Sequence, residues 1–189
     1  MNLTDYSPIS LACLWQPAEQ LKVPNARLKN WLLDSGSLTE RLQARCHDFE
    51  LQLLDQRQAE ISLEENQQLN TSAQHILPND AWQVREVLLC GNGQAWVYAR
   101  SIIPAALCSG ELAQLGNQPL GKLIFNDPRF VRQPFQLTQL TQVRPLAEAL
   151  QLNITMPLWG RRSVFHFNQY AMSVAEIFLP QSPAYCDGQ

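Results

Sequence analysis

Few residues of this chain are charged, and this limits the kinds of molecule that it is expected to bind. Only 16% of the 189 residues are charged, the formal net charge is −3, and no run of lysine and arginine occurs. Proteins that bind nucleic acid usually carry a basic patch or stripe that attracts phosphates. We therefore expect no nucleic-acid partner for this chain.

Signals for export and for membrane insertion are also missing. Residues 1–6 contain no basic region followed by an apolar stretch, so no secretory signal is expected. No apolar run approaches the roughly 20 residues that a membrane-spanning helix needs. The sequence predicts a cytoplasmic protein, without stable membrane insertion, that acts as a monomer.

The motifs of several common chemistries are absent. The five cysteines are odd in number and include no Cys-x-x-Cys, which argues against a disulfide framework and a structural zinc site. The three histidines, His47, His75 and His166, do not stand at metal-ligand spacing. Neither Gly-x-Ser-x-Gly nor Gly-x-Gly-x-x-Gly occurs, so a nucleophile elbow and a dinucleotide loop are not expected.

Strand-forming segments dominate the centre and the end of the chain. Residues 82–90 and 95–103 are rich in β-formers and flank a Gly-Asn-Gly turn, which predicts a hairpin. A second hairpin is predicted to pair residues 161–168 with 171–179 across Gln169-Tyr170. An alternating segment at 49–53 predicts an earlier strand.

Helices are predicted between these strands. Asn25 and the capping-box pattern that begins at Ser37 indicate two helix starts. A second capping box begins at Ser62, but the segment after it is polar, so either a short helix or a loop leads to Pro78. Hairpins with helices grouped between them are typical of a single α+β domain over residues 1–189, built on an antiparallel sheet. The remaining predictions are helices from about Ser109 to Gly116, at 119–125 and at 145–152, and an ambiguous, strand-like segment from Phe130 to Leu140.

Two charged residues lie inside apolar strands. Alternation places Arg85 on one face with Val87 and Leu89, and Glu176 on one face with Val174. A charge in such a place is costly unless it meets a partner, a ligand or water. Two interpretations stay open: a structural Arg85–Glu176 salt bridge, or a small pocket for a polar anion, since a guanidinium fork matches a carboxylate.

Three further arginines are candidates for the same pocket. Arg100 alternates with Trp96 and Tyr98, which predicts that it shares a face with two aromatic rings. Arg161 and Arg162 are adjacent, so they point to opposite faces and at most one of them can reach a given pocket. The sequence does not choose among these three arginines.

Five short segments between residues 82 and 185 follow the order and spacing of one enzyme family. They are REVLLC at 85–90, Trp96 with Arg100, GNQPLG at 116–121, LWGRRS at 158–163, and EIFLP at 176–180 followed by Ser182-Pro183 and Tyr185. Together they make the chain resemble chorismate pyruvate-lyase of the ubiquinone pathway. The stretch 130–158 is longer than the family pattern, and the N-terminal third matches it only loosely.

The resemblance implies a fold and a reaction. The fold would be a six-stranded antiparallel sheet with helices and helical flaps that cover an internal ligand pocket. The reaction would convert chorismate to 4-hydroxybenzoate and pyruvate, the first committed step of ubiquinone biosynthesis. It would need neither a cofactor nor a metal.

The resemblance also assigns roles to particular residues. Arg85 would hold the ring carboxylate together with the backbone N–H groups of Leu120 and Leu38. Glu176 would meet the ring hydroxyl, either as a proton acceptor or only to orient it. Arg100, or one of the adjacent arginine pair, would neutralise the enolpyruvyl carboxylate.

Two competing readings belong to other classes. Effector-sensing domains of some bacterial transcription regulators resemble this lyase fold and bind small molecules without catalysis. Such regulators carry an N-terminal winged helix, whereas the N-terminal segment here is short and has no basic recognition-helix pattern. The other interpretation is a lyase-like protein without activity. The presence of both Arg85 and Glu176 argues against it.

Overall fold

An antiparallel sheet forms the centre of the protein. The computed structural model describes residues 9, 13–73, 76–78, 81–113 and 118–186, without the side chains of 122, 125 and 126. In this part of the chain eight strands are present in the order β1-β6-β7-β8-β4-β3-β2, with β5 also beside β7. The strands are β1 Gln16–Pro17, β2 Phe49–Gln58, β3 Trp82–Gly91, β4 Gln94–Pro104, β5 Val131–Arg132, β6 Gln136–Leu140, β7 Leu158–Phe167 and β8 Tyr170–Phe178.

The predicted α+β class is confirmed, with a larger sheet than expected. Six of the described strands have five residues or more, and two short strands extend the sheet from six to eight. The ambiguous segment from 130 to 140 supplies one of these short strands, β5, as well as β6.

Six α-helices cover the two faces within the described residues. The predicted caps are present: Asn25, Ser37 and Ser62 each accept a hydrogen bond from a backbone N–H three residues later. The helix predicted to begin near Ser109 instead ends there, because α4 begins directly after Pro104. Residues 114–116 of that prediction lie outside the described residues. The helices are α1 Ala26–Leu32, α2 Leu38–Gln43, α3 Leu63–Ser72, α4 Ala105–Ser109, α5 Leu120–Asn126 and α6 Arg144–Leu150.

The helices divide between the two faces of the sheet. One face carries α1 and α2 at one end and α4 and α5 at the other, and α2 contacts α5 between them. The opposite face packs against α6 and α3. Arg85, Val87 and Leu89 lie on the face of α1 and α2, as the alternation of β3 predicts.

A β-bulge in β4 changes the predicted face of Trp96. The register between β3 and β4 shifts at Leu89/Cys90, so Trp96 is an extra residue opposite Cys90. Trp96 therefore packs in the cluster of α1 and α2, whereas Tyr98 packs on the opposite face. The expectation that both rings share a face was wrong, because a bulge inverts the alternation of side chains.

The turn of the second hairpin determines which side chains meet across β7 and β8. The turn lies at Asn168-Gln169, with Asn168 in the left-handed region at φ 51°, one residue earlier than predicted. This moves the register by two residues, which keeps every side chain on its face but changes its neighbour. Arg161 consequently stands opposite Glu176.

Gly160 lets β7 approach β8 closely beside this pair. An added Cβ would lie 2.4 Å from Ile177 Cδ1 and 3.0 Å from the Glu176 carbonyl oxygen. We expect Gly160→Ala to destabilise the protein by about 1–3 kcal/mol, because the backbone oxygen cannot move aside without shifting β8. Thermal unfolding measures this, with Gly36→Ala in an exposed loop as the control. An unchanged melting temperature for Gly160→Ala would contradict the close approach.

Candidate active site

A cavity lies on the sheet face between the two groups of helices, with about 650 Å³ of empty space when its opening to solvent is included. Most of its wall is apolar and is formed by Leu51, Val87, Leu89, Ala99, Ile124, Phe135, Phe165 and Val174. Its polar side chains are Thr39, Arg85, Ser101, Arg132, Arg161, Ser163 and Glu176.

Strand register arranges the floor of this cavity in two rows. The first row runs Arg85, Ser101, Val174, Ser163 across β3, β4, β8 and β7. The second row runs Val87, Ala99, Glu176, Arg161 across the same strands. Arg85 and Glu176 thus line the same cavity, but they are separated by two strands and by one row. On ideal sheet spacing, this separation is about 12 Å between their Cα atoms. Of the two interpretations that the sequence left open, the direct Arg85–Glu176 salt bridge was therefore wrong.

Arg161 is the partner of Glu176. Its Nε donates to Glu176 Oε2 at 2.5 Å, and one terminal nitrogen donates to the carbonyls of Trp31 and Asp34 at 3.1 and 2.8 Å. The side chain of Arg161 is 2% exposed, and that of Glu176 is 17% exposed. The ion pair therefore joins β7 to β8 and also holds the C-terminal end of α1.

Arg85 is held at the other side of the cavity. One terminal nitrogen donates to Gln56 Oε1 at 2.6 Å, and the other donates to the Gln118 carbonyl at 3.1 Å. Only 2% of the residue is exposed, and this burial lowers the pKa of its guanidinium. An arginine still keeps its proton at neutral pH, so a cation is fixed at this position.

Arg132 is a cavity residue that the sequence did not single out. It lies on the two-residue strand β5, opposite Phe165, and donates to the Ser35 carbonyl at 2.9 Å. Its guanidinium lies 4.5 Å from the Phe135 ring centroid, and that of Arg161 lies 4.7 Å from the same ring. Burial lowers the pKa of Arg132, and the neighbouring charge of Arg161 lowers it further. Two cations therefore flank one aromatic ring, far from Arg85.

Two helices begin at the wall of the cavity. Leu38 is the first residue of α2 and Leu120 the first residue of α5, and both line the cavity. N–H groups in a first helical turn have no acceptor within the helix, so they can donate to an anion. The structure thus brings both leucines named from the resemblance to the same cavity as Arg85.

Arg100 lies outside the main cavity, so the prediction that it binds substrate is corrected. It forms an ion pair with Glu65 of α3, and its Nε is 3.9 Å from Glu86 Oε1. With Arg162 it lines a separate polar cleft on the opposite face of the sheet. Arg162 donates to Gln136 and lies 4.9 Å from the Trp15 ring centroid. Of the three open candidates, only Arg161 lines the main cavity.

The described residues contain no group of three or more histidine, cysteine, aspartate and glutamate side chains that could hold a metal ion. His47 is exposed, His166 of β7 forms a hydrogen bond with Gln133, and His75 lies outside the described residues. Cys90 is buried, which raises the pKa of its thiol to about 11. No helix in the described ranges has the length and hydrophobicity required to cross a membrane.

Solved structures with a similar fold include domains of transcription regulators. The effector domain of PhnF from Mycobacterium smegmatis has a TM-score of 0.57 at 17% identity, covering 78% of this chain and 91% of that chain. The C-terminal domain of the histidine utilization repressor from Pseudomonas syringae pv. tomato has a TM-score of 0.56 at 10% identity, covering 70% and 92%. At such identities the likeness shows a common fold and nothing about the ligand.

Sequence comparison is more specific. The family model described as chorismate lyase matches residues 10–187. A relative from Pseudoalteromonas atlantica, named probable chorismate pyruvate-lyase, is 52% identical over 173 residues, covering 92% of this chain and 90% of the relative. One from Shewanella sp. strain MR-4 with the same name is 38% identical, covering 95% and 94%. This chain therefore belongs to the chorismate lyase family.

Proposed function

We propose that this protein converts chorismate to 4-hydroxybenzoate and pyruvate, as the first committed step of ubiquinone biosynthesis. The observation that carries the proposal is the apolar cavity with Arg85 on one side and Arg132 with Arg161 on the other. Family membership supports the same chemistry. We further propose that the enzyme acts as a monomer in the cytoplasm.

The charge of the cavity matches that of the substrate. Three arginines and one glutamate among the lining residues give a formal charge of +2. Chorismate carries two carboxylates, one on the ring and one on the enolpyruvyl ether. We assign the ring carboxylate to Arg85 with the N–H groups of Leu120 and Leu38. The enolpyruvyl carboxylate is assigned to the two arginines beside Phe135, because a guanidinium fork binds a carboxylate well in a largely apolar site.

The reaction needs little chemistry from the protein. The ether bond between ring C3 and oxygen breaks, C4 loses its hydrogen as a proton, and the electron pair of that C–H bond completes the aromatic ring. The departing enolpyruvate takes up a proton at its methylene carbon and becomes pyruvate, so no oxidant or reductant is consumed. Aromatisation supplies driving force, and the enzyme holds the reactive conformer and neutralises charge on the leaving group.

Glu176 is assigned to the ring hydroxyl. Among the described residues, Arg161 is the hydrogen-bond partner of this carboxylate, and it occupies Oε2. Oε1 is then available to accept a hydrogen bond from the substrate hydroxyl. We assign Glu176 a positioning role, because the substrate already has a good leaving group in an elimination that forms an aromatic ring.

The pure protein incubated with chorismate is expected to release 4-hydroxybenzoate and pyruvate in equal amounts, also in the presence of a metal chelator. Chromatography measures the aromatic acid, and a coupled assay measures pyruvate. Binding of chorismate without turnover would instead favour an effector-binding module, the function class of the structurally similar PhnF domain. Activity that a chelator abolishes and a divalent ion restores would contradict metal independence.

A further inference from the structure

Ser163 places a buried hydroxyl in the wall of the main cavity. The residue is 4% exposed and lies on β7, two positions after Arg161 on the same face. Its Oγ has no hydrogen-bond partner among the described residues. A buried hydroxyl left without a partner costs roughly 1–3 kcal/mol. This cost to folding is offset if the hydroxyl is used when a ligand fills the cavity.

The position of Ser163 separates it from the other hydroxyls of the cavity. Ser101 stands directly opposite Arg85 on the neighbouring strand, and Thr39 follows Leu38 in α2, so both lie near the group assigned to the ring carboxylate. Ser163 lies three strands from Arg85 along the same row. It therefore belongs to the end of the cavity that holds Arg161.

One polar atom of chorismate has no partner assigned to it in the proposed function. In the proposed function the ring carboxylate is assigned to Arg85, the ring hydroxyl to Glu176, and the second carboxylate to Arg132 and Arg161. The ether oxygen remains without a donor, although it joins the ring to the group held by Arg161. We propose that Ser163 donates a hydrogen bond to this ether oxygen, an inference that rests on the proposed function.

Such a bond would act on the rate rather than on product binding. As the C3–O bond breaks, its electron pair goes to the oxygen, which becomes an enolate oxygen, while Ser163 keeps its proton throughout. A hydrogen bond to a charged oxygen is about twice as strong as one to a neutral oxygen. Ser163 therefore stabilises the transition state more than the ground state, which raises the turnover number.

We expect Ser163→Ala to lower kcat by about 10- to 100-fold. The KM for chorismate and the Kd for 4-hydroxybenzoate should stay within about twofold, because the product lacks the ether oxygen. The melting temperature should be unchanged or higher, since the variant removes an unsatisfied buried hydroxyl. Ser163→Thr, which keeps a hydroxyl, should recover part of kcat. Ser173→Ala is the matched control, because Ser173 is equally buried but does not line this cavity.

The outcomes separate this inference from the proposed function. An active wild type with unchanged kcat in Ser163→Ala overturns the role of Ser163 alone. A fall in kcat accompanied by lower product affinity and a lower melting temperature also overturns it, because that pattern indicates a structural serine. A wild type that binds chorismate and forms no 4-hydroxybenzoate overturns the proposed function and, with it, this inference.

Discussion

Arg85→Ala is expected to weaken the binding of 4-hydroxybenzoate by about 30- to 150-fold. The guanidinium is assigned to the carboxylate of the ligand through a charge-assisted contact, worth on the order of 2–3 kcal/mol in a site largely closed to water. Arg85 is 2% exposed and fixed by Gln56 and the Gln118 carbonyl, so little ordering is needed when the ligand binds. Calorimetric titration of the product into each purified variant measures the effect.

Two further variants make this test specific. Arg85→Lys should recover only part of the affinity, because a lysine ammonium is a point charge and lacks the planar fork. Arg162→Ala is the matched control, since Arg162 is a buried arginine of the same sheet whose side chain lines the cleft on the opposite face. Unchanged product affinity in Arg85→Ala, or an equal loss in Arg162→Ala, would show that Arg85 has only a structural role.

Glu176→Gln is expected to lower the free energy of unfolding by about 2–3 kcal/mol. The variant leaves the Arg161 guanidinium, only 2% exposed, without its carboxylate partner. Removing one member of a buried ion pair costs about 3–5 kcal/mol, and the 17% exposure of Glu176 reduces that figure through solvent screening. Thermal or denaturant unfolding of the ligand-free protein measures the loss.

The same variant separates two roles of Glu176 in turnover. If Glu176 orients the ring hydroxyl, its replacement by glutamine should reduce kcat by less than about tenfold and leave the affinity for 4-hydroxybenzoate largely intact. A fall of about 10²-fold or more at unchanged product affinity would make Glu176 the proton acceptor. The stability loss must therefore be measured beside the rate, because Glu176 is also a structural partner of Arg161.

A double variant distinguishes stability from catalysis at this pair. Arg161→Met combined with Glu176→Gln removes both charges, so it should recover part of the stability that Glu176→Gln loses. Turnover should not recover, because Arg161 is also assigned to the enolpyruvyl carboxylate. An additive loss of stability in the double variant would contradict an energetic coupling between the two side chains.

Local patterns in the sequence were sufficient for most of the helices and strands, though not for α4, and for the faces of most side chains. The caps at Asn25, Ser37 and Ser62, and the turn at Asn92-Gly93, depend on residues a few positions apart. Alternation along β3 and along β8 predicted that Arg85 and Glu176 each lie on an apolar strand face, and both side chains line the same cavity. Where a bulge interrupted the alternation, at Trp96, the predicted face was wrong.

The neighbours of those side chains were decided only by the tertiary structure. Period-2 alternation depends on local backbone geometry, so the chain itself determines which face a strand residue occupies. Strand order and register depend on turns and on contacts between distant segments, and a shift of two residues keeps every face while changing every partner. For this reason the sequence placed Arg85 and Glu176 in one site, whereas the register paired Glu176 with Arg161. In the same way, only the short strand β5 brought Arg132 into the cavity, and only the packing around Ser163 left its hydroxyl buried there.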